Sequence, residues 1–284
     1  MNQQREAFTL ADLKSKADFI RKEVVEVGVR NGAGHIAPSL SSIDYLTALY
    51  YRVLRHNGNP HWPERDRVVF SKAHGAYGLY AILCDLGYVS RVEWDNFYLF
   101  EKGQPVSRLA GCCEMDLDIG LEAGCGSLGH GLPMAAGMAY GLKVQQVDAR
   151  IYCVVGDGEM QEGSNWEAVQ FAAKFKLDNL VIVVDNNGLQ AMDFLNNVLT
   201  DRDVTEDLHH KFEAFGCHVE RTSGHEMSEL VDTLERWHKG GIGRPQVMLA
   251  KCVKGYGVKA MENVAKFHFR LPTPEELAQG LRYE

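Results

Sequence analysis

The chain has 284 residues, 45% hydrophobic and 24% charged, enough to bury the core of one large or two small globular domains. Its formal net charge of −8 argues against a nucleic-acid or anionic-membrane partner, while a locally basic cleft could still take an anionic substrate. No apolar run approaches the roughly 20 residues of a membrane-spanning helix, and the start, MNQQREAFTL, lacks the basic head and apolar core of a secretory signal.

In chain order, Leu10, Leu13, Ala17, Ile20, Val24 and Val27 recur at steps of three and four, which predicts a helix with Thr9 as N-cap and Asp12 completing a capping box. A second amphipathic segment runs from Ser42 to Leu54, with Ser41 and Asp44 in capping-box spacing. Arg67–Phe70 reads as a short strand, and the aromatic group from Trp94 to Phe100 reads as core. Gly126 to Gly141 is rich in Gly and Ala and reads as a loop entering a helix that packs closely on another helix or a second subunit. Apolar runs at 151–155, 180–184, 217–220 and 246–250 read as strands, with helical segments at 165–176 and 228–239 between them. Thr273-Pro-Glu-Glu276 predicts a short capped helix. Strand and helix in alternation imply an α/β fold: a parallel central sheet with helices on both faces, preceded by an N-terminal helical portion, in one domain over 1–284. The most apolar runs, 151–155 and 180–184, are expected at its centre. Seven cysteines, an odd number with no Cys-x-x-Cys pair, fit reduced thiols in the cytoplasm.

The chemistry concentrates after two of these strands. Gly156-Asp157-Gly158-Glu159 follows the first, and Asp185-Asn186-Asn187 ends the second, with 30 positions between Asp157 and Asn187. Ligands of open α/β sheets bind beyond the carboxyl ends of the strands. An Asp and an Asn there offer oxygen ligands to a hard divalent cation such as Mg²⁺ or Ca²⁺, which completes its shell with phosphate oxygens and water. The glycines let backbone approach a phosphate, and the helix starting near Gly163–Asn165 aims free N–H groups at an anion. Taken singly, G-D-G is a turn and D-N-N a loop; the pair at this spacing suggests a metal–diphosphate cradle.

GDGEMQEGSNWEA…LVIVVDNN resembles the thiamine-diphosphate motif of the transketolase family, which begins GDG and ends NN. Gly34-His35, Ser71-Lys-Ala-His74-Gly75, Gly126-Ser-Leu-Gly129, Lys254-Gly-Tyr-Gly-Val258 and Met261-Glu-Asn263…His268 follow in family order, so the resemblance covers about residues 10 to 270. It implies thiamine diphosphate with Mg²⁺ (or Ca²⁺ or Mn²⁺) as cofactors. By the same resemblance Asp157, Asn187 and the Leu189 carbonyl are metal ligands, and Gly156, Gly158, Glu159, His74 and His268 lie on the diphosphate side. Gly126, Ser127 and Leu128 meet the aminopyrimidine. His35 and His268 line the substrate channel as proton-handling catalytic residues. Glu162 and Glu167 resemble the family's acidic pair linking two cofactor sites. The plainer readings are a capping role for His35 and a helix-dipole role for Glu162. His130, His209, His210, His218, His225 and His238 match no catalytic position.

The sequence departs from the family in three places. Cys112 stands where a substrate-contacting histidine is usual, Phe269 follows His268 where Gly is common, and His130 replaces a Gln. A full-length transketolase is more than twice as long. The resemblance therefore implies the N-terminal subunit of a split enzyme, working in an α2β2 assembly with a C-terminal, pyrimidine-binding subunit. The implied reaction moves a two-carbon ketol unit from a ketose phosphate to an aldehyde. The alternatives are a carboligase using a 2-oxo acid, as in deoxyxylulose-phosphate synthesis, and a non-catalytic regulatory relative.

Overall fold

A computed structural model describes residues 8–282. Helix α1 (Leu10–Asn31) starts at Thr9, whose side chain and that of Asp12 form the expected capping box; it ends at Gly32 in the left-handed region. Helices α2 (Ile36–Leu40) and α3 (Ile43–Ala48) follow, and a π-helical turn carries the chain on to Val53. The capping box expected at Ser41 does not form. Ser42 is the N-cap and its side chain makes no cap bond, because Ser41 is drawn to Asp185 (2.8 Å) and Asp44 to Arg21 (2.8 Å) and His225 (2.7 Å). Long-range partners here outweigh the local cap.

Strand β1 (Arg67–Phe70) leads to α4 (Tyr77–Asp85) and α5 (Arg91–Asp95). A small hairpin, β2 (Phe100–Glu101) with β3 (Gln104–Pro105), comes next. Trp94 and Phe97 are core, as expected, but Phe100 at the end of the same run is exposed. Helix α6 (Gly131–Val144) precedes β4 (Ile151–Gly156), α7 (Gly163–Lys174) and β5 (Leu180–Asn186). The chain ends with α8 (Leu195–Val198), α9 (Val204–Ala214), β6 (His218–Ser223), α10 (Met227–Lys239), β7 (Gln246–Lys251) and α11 (Pro274–Leu277), the last with its predicted capping box.

The five long strands form one parallel sheet in the order β1-β4-β5-β7-β6. The two most apolar runs, β4 and β5, are inner strands, buried along their whole length. Alternate residues serve different cores. Tyr152, Val154, Val181 and Val183 face the layer of α1, α3, α4 and α10; Ile151, Cys153, Ile182 and Val184 face α6, α7 and α9. Burial on both sides is why these strands read as continuous apolar runs rather than alternating ones.

The close packing expected of the glycine-rich segment occurs at its start. A Cβ on Gly131 would come within 2.4 Å of the Ser71 side chain, so α6 begins against the loop after β1. At Gly137 and Gly141 nothing lies within 4 Å, and that face of α6 is open. Among the described residues no helix is long and apolar enough to cross a membrane.

Candidate active site

The parallel register sets Gly156 of β4 beside Asp185 of β5, so the two strands deliver their following loops at one level. A cavity of about 220 Å³ opens there. Asp157, Gly158, Asn187, Leu189, Gly156 and Glu159 all line it, so the expected ligand set shares one space. Asp157 is buried; its carboxylate accepts from the N–H of Gly188 (2.6 Å) and of Gly158 (2.8 Å). Burial, with the Asp185 charge nearby, pushes the Asp157 carboxyl up to about 7 against those two bonds. Asn187 sends its Nδ2 to Asp185 (2.8 Å), and its Oδ1 accepts from the N–H of Leu189 (3.0 Å). A buried carboxylate held by N–H groups, beside an amide oxygen, is the hard-oxygen chemistry that suits Mg²⁺. The donor set therefore fits the metal.

The same cavity carries basic side chains. Lys254 is buried, and its Nζ reaches the Gln190 carbonyl (3.2 Å) and His268 Nδ1 (2.9 Å). Burial and the Lys72 charge bring the Lys254 amine down to about 8. An ammonium only donates, so His268 Nδ1 accepts and its proton sits on Nε2. His35 and His74 stack with ring centroids 4.9 Å apart, and His268 meets both edge-on at 5.6 and 5.4 Å. Burial first, then neighbouring positive charge, brings His35 down to about 4 and His268 to about 3, and lowers His74. The three rings are thus neutral at pH 7.

Close backbone approach holds this cluster together. A Cβ on Gly34 would lie 2.3 Å from the Phe269 carbonyl oxygen, so the segments carrying His35 and His268 touch main chain to main chain. Phe269 covers His35 at 4.8 Å between centroids and remains over half exposed. The Tyr77 hydroxyl accepts from the His35 N–H (3.2 Å). Cys112 is half-buried, and burial raises its thiol further above neutrality, so it carries no charge.

Other residues sit at the edge. Leu128 lines the cavity half-buried, with Gly126 and Ser127 exposed just before it. Glu159 turns its carboxylate inward to Ser71 and to the N–H groups of Gly129 (3.0 Å) and Gly156 (3.2 Å), bracing the turn. Glu162 and Glu167 are exposed and outside the cavity lining. His209, His210 and His218 pair with surface glutamates, and His225 with Asp44.

Lys72, Lys254, Asp185 and Gln190 received no role from the sequence. Lys72 and Lys254 lie in the loops after β1 and β7, at the same strand ends as Asp157, and that placement was the signal available. Asp185 was visible only as part of D-N-N.

An open parallel sheet with acidic and amide oxygens at two strand tips, and a buried lysine in the same cavity, makes an α/β domain whose ligand site lies beyond the carboxyl ends of its strands. Comparison with known proteins is specific. The family model of the transketolase thiamine diphosphate binding domain matches residues 13–279. The chain is 38% identical over 274 residues to one of the subunits of the apulose-4-phosphate transketolase of Actinobacillus succinogenes, covering 95% of each. It is 36% identical over 258 residues to the 6-deoxy-6-sulfo-D-fructose transketolase subunit SqwG of a Clostridium species, covering 90% of each. The transketolase structure from Campylobacter jejuni superposes with a TM-score of 0.83 at 30% identity, covering 95% of this chain and 42% of that one. The chain belongs to the transketolase family of thiamine-diphosphate-dependent transferases and is a form of its thiamine-diphosphate-binding domain.

Proposed function

We propose that this chain is the cofactor-binding subunit of a two-subunit transketolase-like enzyme that moves a two-carbon ketol unit from a ketose phosphate to an aldehyde. The observation that carries the reading is the single cavity lined by Asp157, Asn187 and Leu189 together with Lys254, His74 and His268. Asp157, Asn187 and the Leu189 carbonyl would hold Mg²⁺, Lys254 would supply positive charge to the diphosphate, and neutral His74 would offer it a hydrogen bond. Bound thiamine diphosphate supplies the carbon nucleophile and the electron sink for carbon–carbon cleavage. His268 presents Nε2–H to a substrate oxygen, and neutral His35 takes protons from the sugar hydroxyls, a type of help worth about 10²–10⁴-fold.

A C-terminal, pyrimidine-binding subunit closes the rim at Gly126, Ser127 and Leu128, and Glu162 and Glu167 meet a second copy in an α2β2 assembly. Unpaired thiols at all seven cysteines support a cytoplasmic setting. The test supplies purified chain and partner with cofactor and Mg²⁺, then hydroxypyruvate, pyruvate and ketose phosphates as donors. Ketol transfer only with both subunits supports the reading. Turnover by this chain alone rejects the split enzyme, and consumption of pyruvate moves the reaction to a decarboxylating carboligase.

A further inference from the structure

We infer that Asp185, held by Lys72, is a positioning residue that fixes which end of the Asn187 amide faces the cation. The inference rests on the metal reading above. An amide has two ends of the same size, and only its oxygen binds a hard cation. Asp185 takes the nitrogen end: Asn187 Nδ2 donates to its Oδ1 at 2.8 Å. With the amide turned over, two oxygens would face each other and the N–H₂ would point at the metal.

The carboxylate has no freedom to yield. It is fully buried, and its other oxygen, Oδ2, accepts from Lys72 Nζ (2.6 Å), Ser41 Oγ (2.8 Å) and the Tyr45 hydroxyl (3.1 Å). Lys72 is fixed in turn by the Pro38 carbonyl (2.8 Å) and Ser41 Oγ (2.8 Å). Oδ1 is thus left for Asn187. The same residue also serves the other ligand, because the Asp185 carbonyl accepts from the N–H of Asp157 at 3.2 Å. One residue of β5 therefore anchors the backbone of one proposed ligand and orients the side chain of the other.

Asp185→Asn leaves one acceptor oxygen for two claimants. Lys72 takes it, and an N–H₂ then faces Asn187 and opposes the native orientation, which is left to the Leu189 N–H bond to Oδ1 (3.0 Å) alone. A carboxylate at 187 has two equivalent oxygens and so no orientation to lose, although one of them then faces Asp185 Oδ1; this separates orientation from general damage. Mn²⁺ affinity of the full chain with thiamine diphosphate, read by the electron paramagnetic resonance of free Mn²⁺, is measured for native, Asp185→Asn, Asn187→Asp and the double variant. Thermal melts confirm folding. Asp185→Asn is expected to weaken Mn²⁺ about tenfold in the native background, as loss of a ligand-orienting partner does, and to cause no weakening in the Asn187→Asp background, where its N–H₂ relieves the facing oxygens. Asp185→Glu, which keeps the charge beside Lys72 but displaces the oxygen, gives the same pattern and serves if Asp185→Asn does not fold. Equal losses in both backgrounds, or no loss in either, overturn this inference alone. A native chain that binds no Mn²⁺ overturns the cation site and the inference together.

Discussion

Lys254 is an ammonium placed in a buried wall, and such a charge costs free energy unless a counter-ion meets it. In the proposed complex the diphosphate is that counter-ion. Lys254→Met is expected to weaken thiamine diphosphate by about 10–100-fold, the range for a lost hydrogen bond to a charged group. Calorimetry of the full chain with Mg²⁺ measures this, and an unchanged affinity would remove Lys254 from the site. The histidines make a separate prediction. His35 and His268 are held at about 4 and about 3, by burial first, against an ordinary value of 6.5. Between those limits the unfolded chain binds more protons than the folded one, so stability rises with pH through this window and falls on acidification. His35→Asn and His268→Asn should each flatten the dependence of melting temperature on pH from about 4 to 6.5. An unaltered slope in both variants contradicts the shifts.

At the level of elements, the backbone contact between Gly34 and Phe269 joins the start of α2 to the turn carrying His268. A methyl group there has no flexible side chain to displace, since its nearest atom is a backbone oxygen at 2.3 Å. Gly34→Ala should cost about 1–3 kcal/mol, as overpacking does, and part His35 from His268. Denaturant titration and ketol-transfer rate with the partner measure the two effects, and native-like values for both would show the contact to be dispensable. This contact also marks where sequence reading stops. The inner strands were legible because β4 and β5 are apolar on both faces and end at Gly or Asn; the edge strand β6, HVERTS, is mixed, and the run 217–220 starts one residue before it and stops three short. Asp157 and Asn187 were legible because they follow legible strands. Lys72 and Asp185 were not, since their pairing spans 113 positions and exists only once β1, β4 and β5 lie side by side. Ser41 departs from its expected capping role for the same reason: a short-range capping rule cannot anticipate a carboxylate 144 positions away.

Over the whole molecule, the proposed site would trade stability for binding. Asp157 is buried with two backbone N–H groups as its bonded partners, so its negative charge burdens the chain whenever no cation is bound. Asp157→Asn keeps the shape and removes the charge. It also sets an N–H₂ against one of the two backbone N–H donors, so the lost charge and the lost hydrogen bond oppose each other; the ligand-free variant should melt near the native temperature, while losing the response to ligand. In the native chain, Mg²⁺ and thiamine diphosphate at 100 times the dissociation constant add about 2.7 kcal/mol by mass action, which for a domain of this size is a rise of about 4–5 °C. Scanning calorimetry on both proteins, with and without ligand, reads the two effects together. A native rise that vanishes in a variant of near-native intrinsic stability shows that Asp157 is kept for the cation and not for the fold. A variant that melts well below the native chain without ligand would instead make Asp157 a structural residue, held by its bonds to Gly158 and Gly188. The exposed rim, with Gly126, Ser127 and Met192 open to solvent, sets the remaining expectation: adding the pyrimidine-binding subunit should enlarge the native rise, because a cofactor gripped at both ends dissociates more slowly than one held by its diphosphate alone.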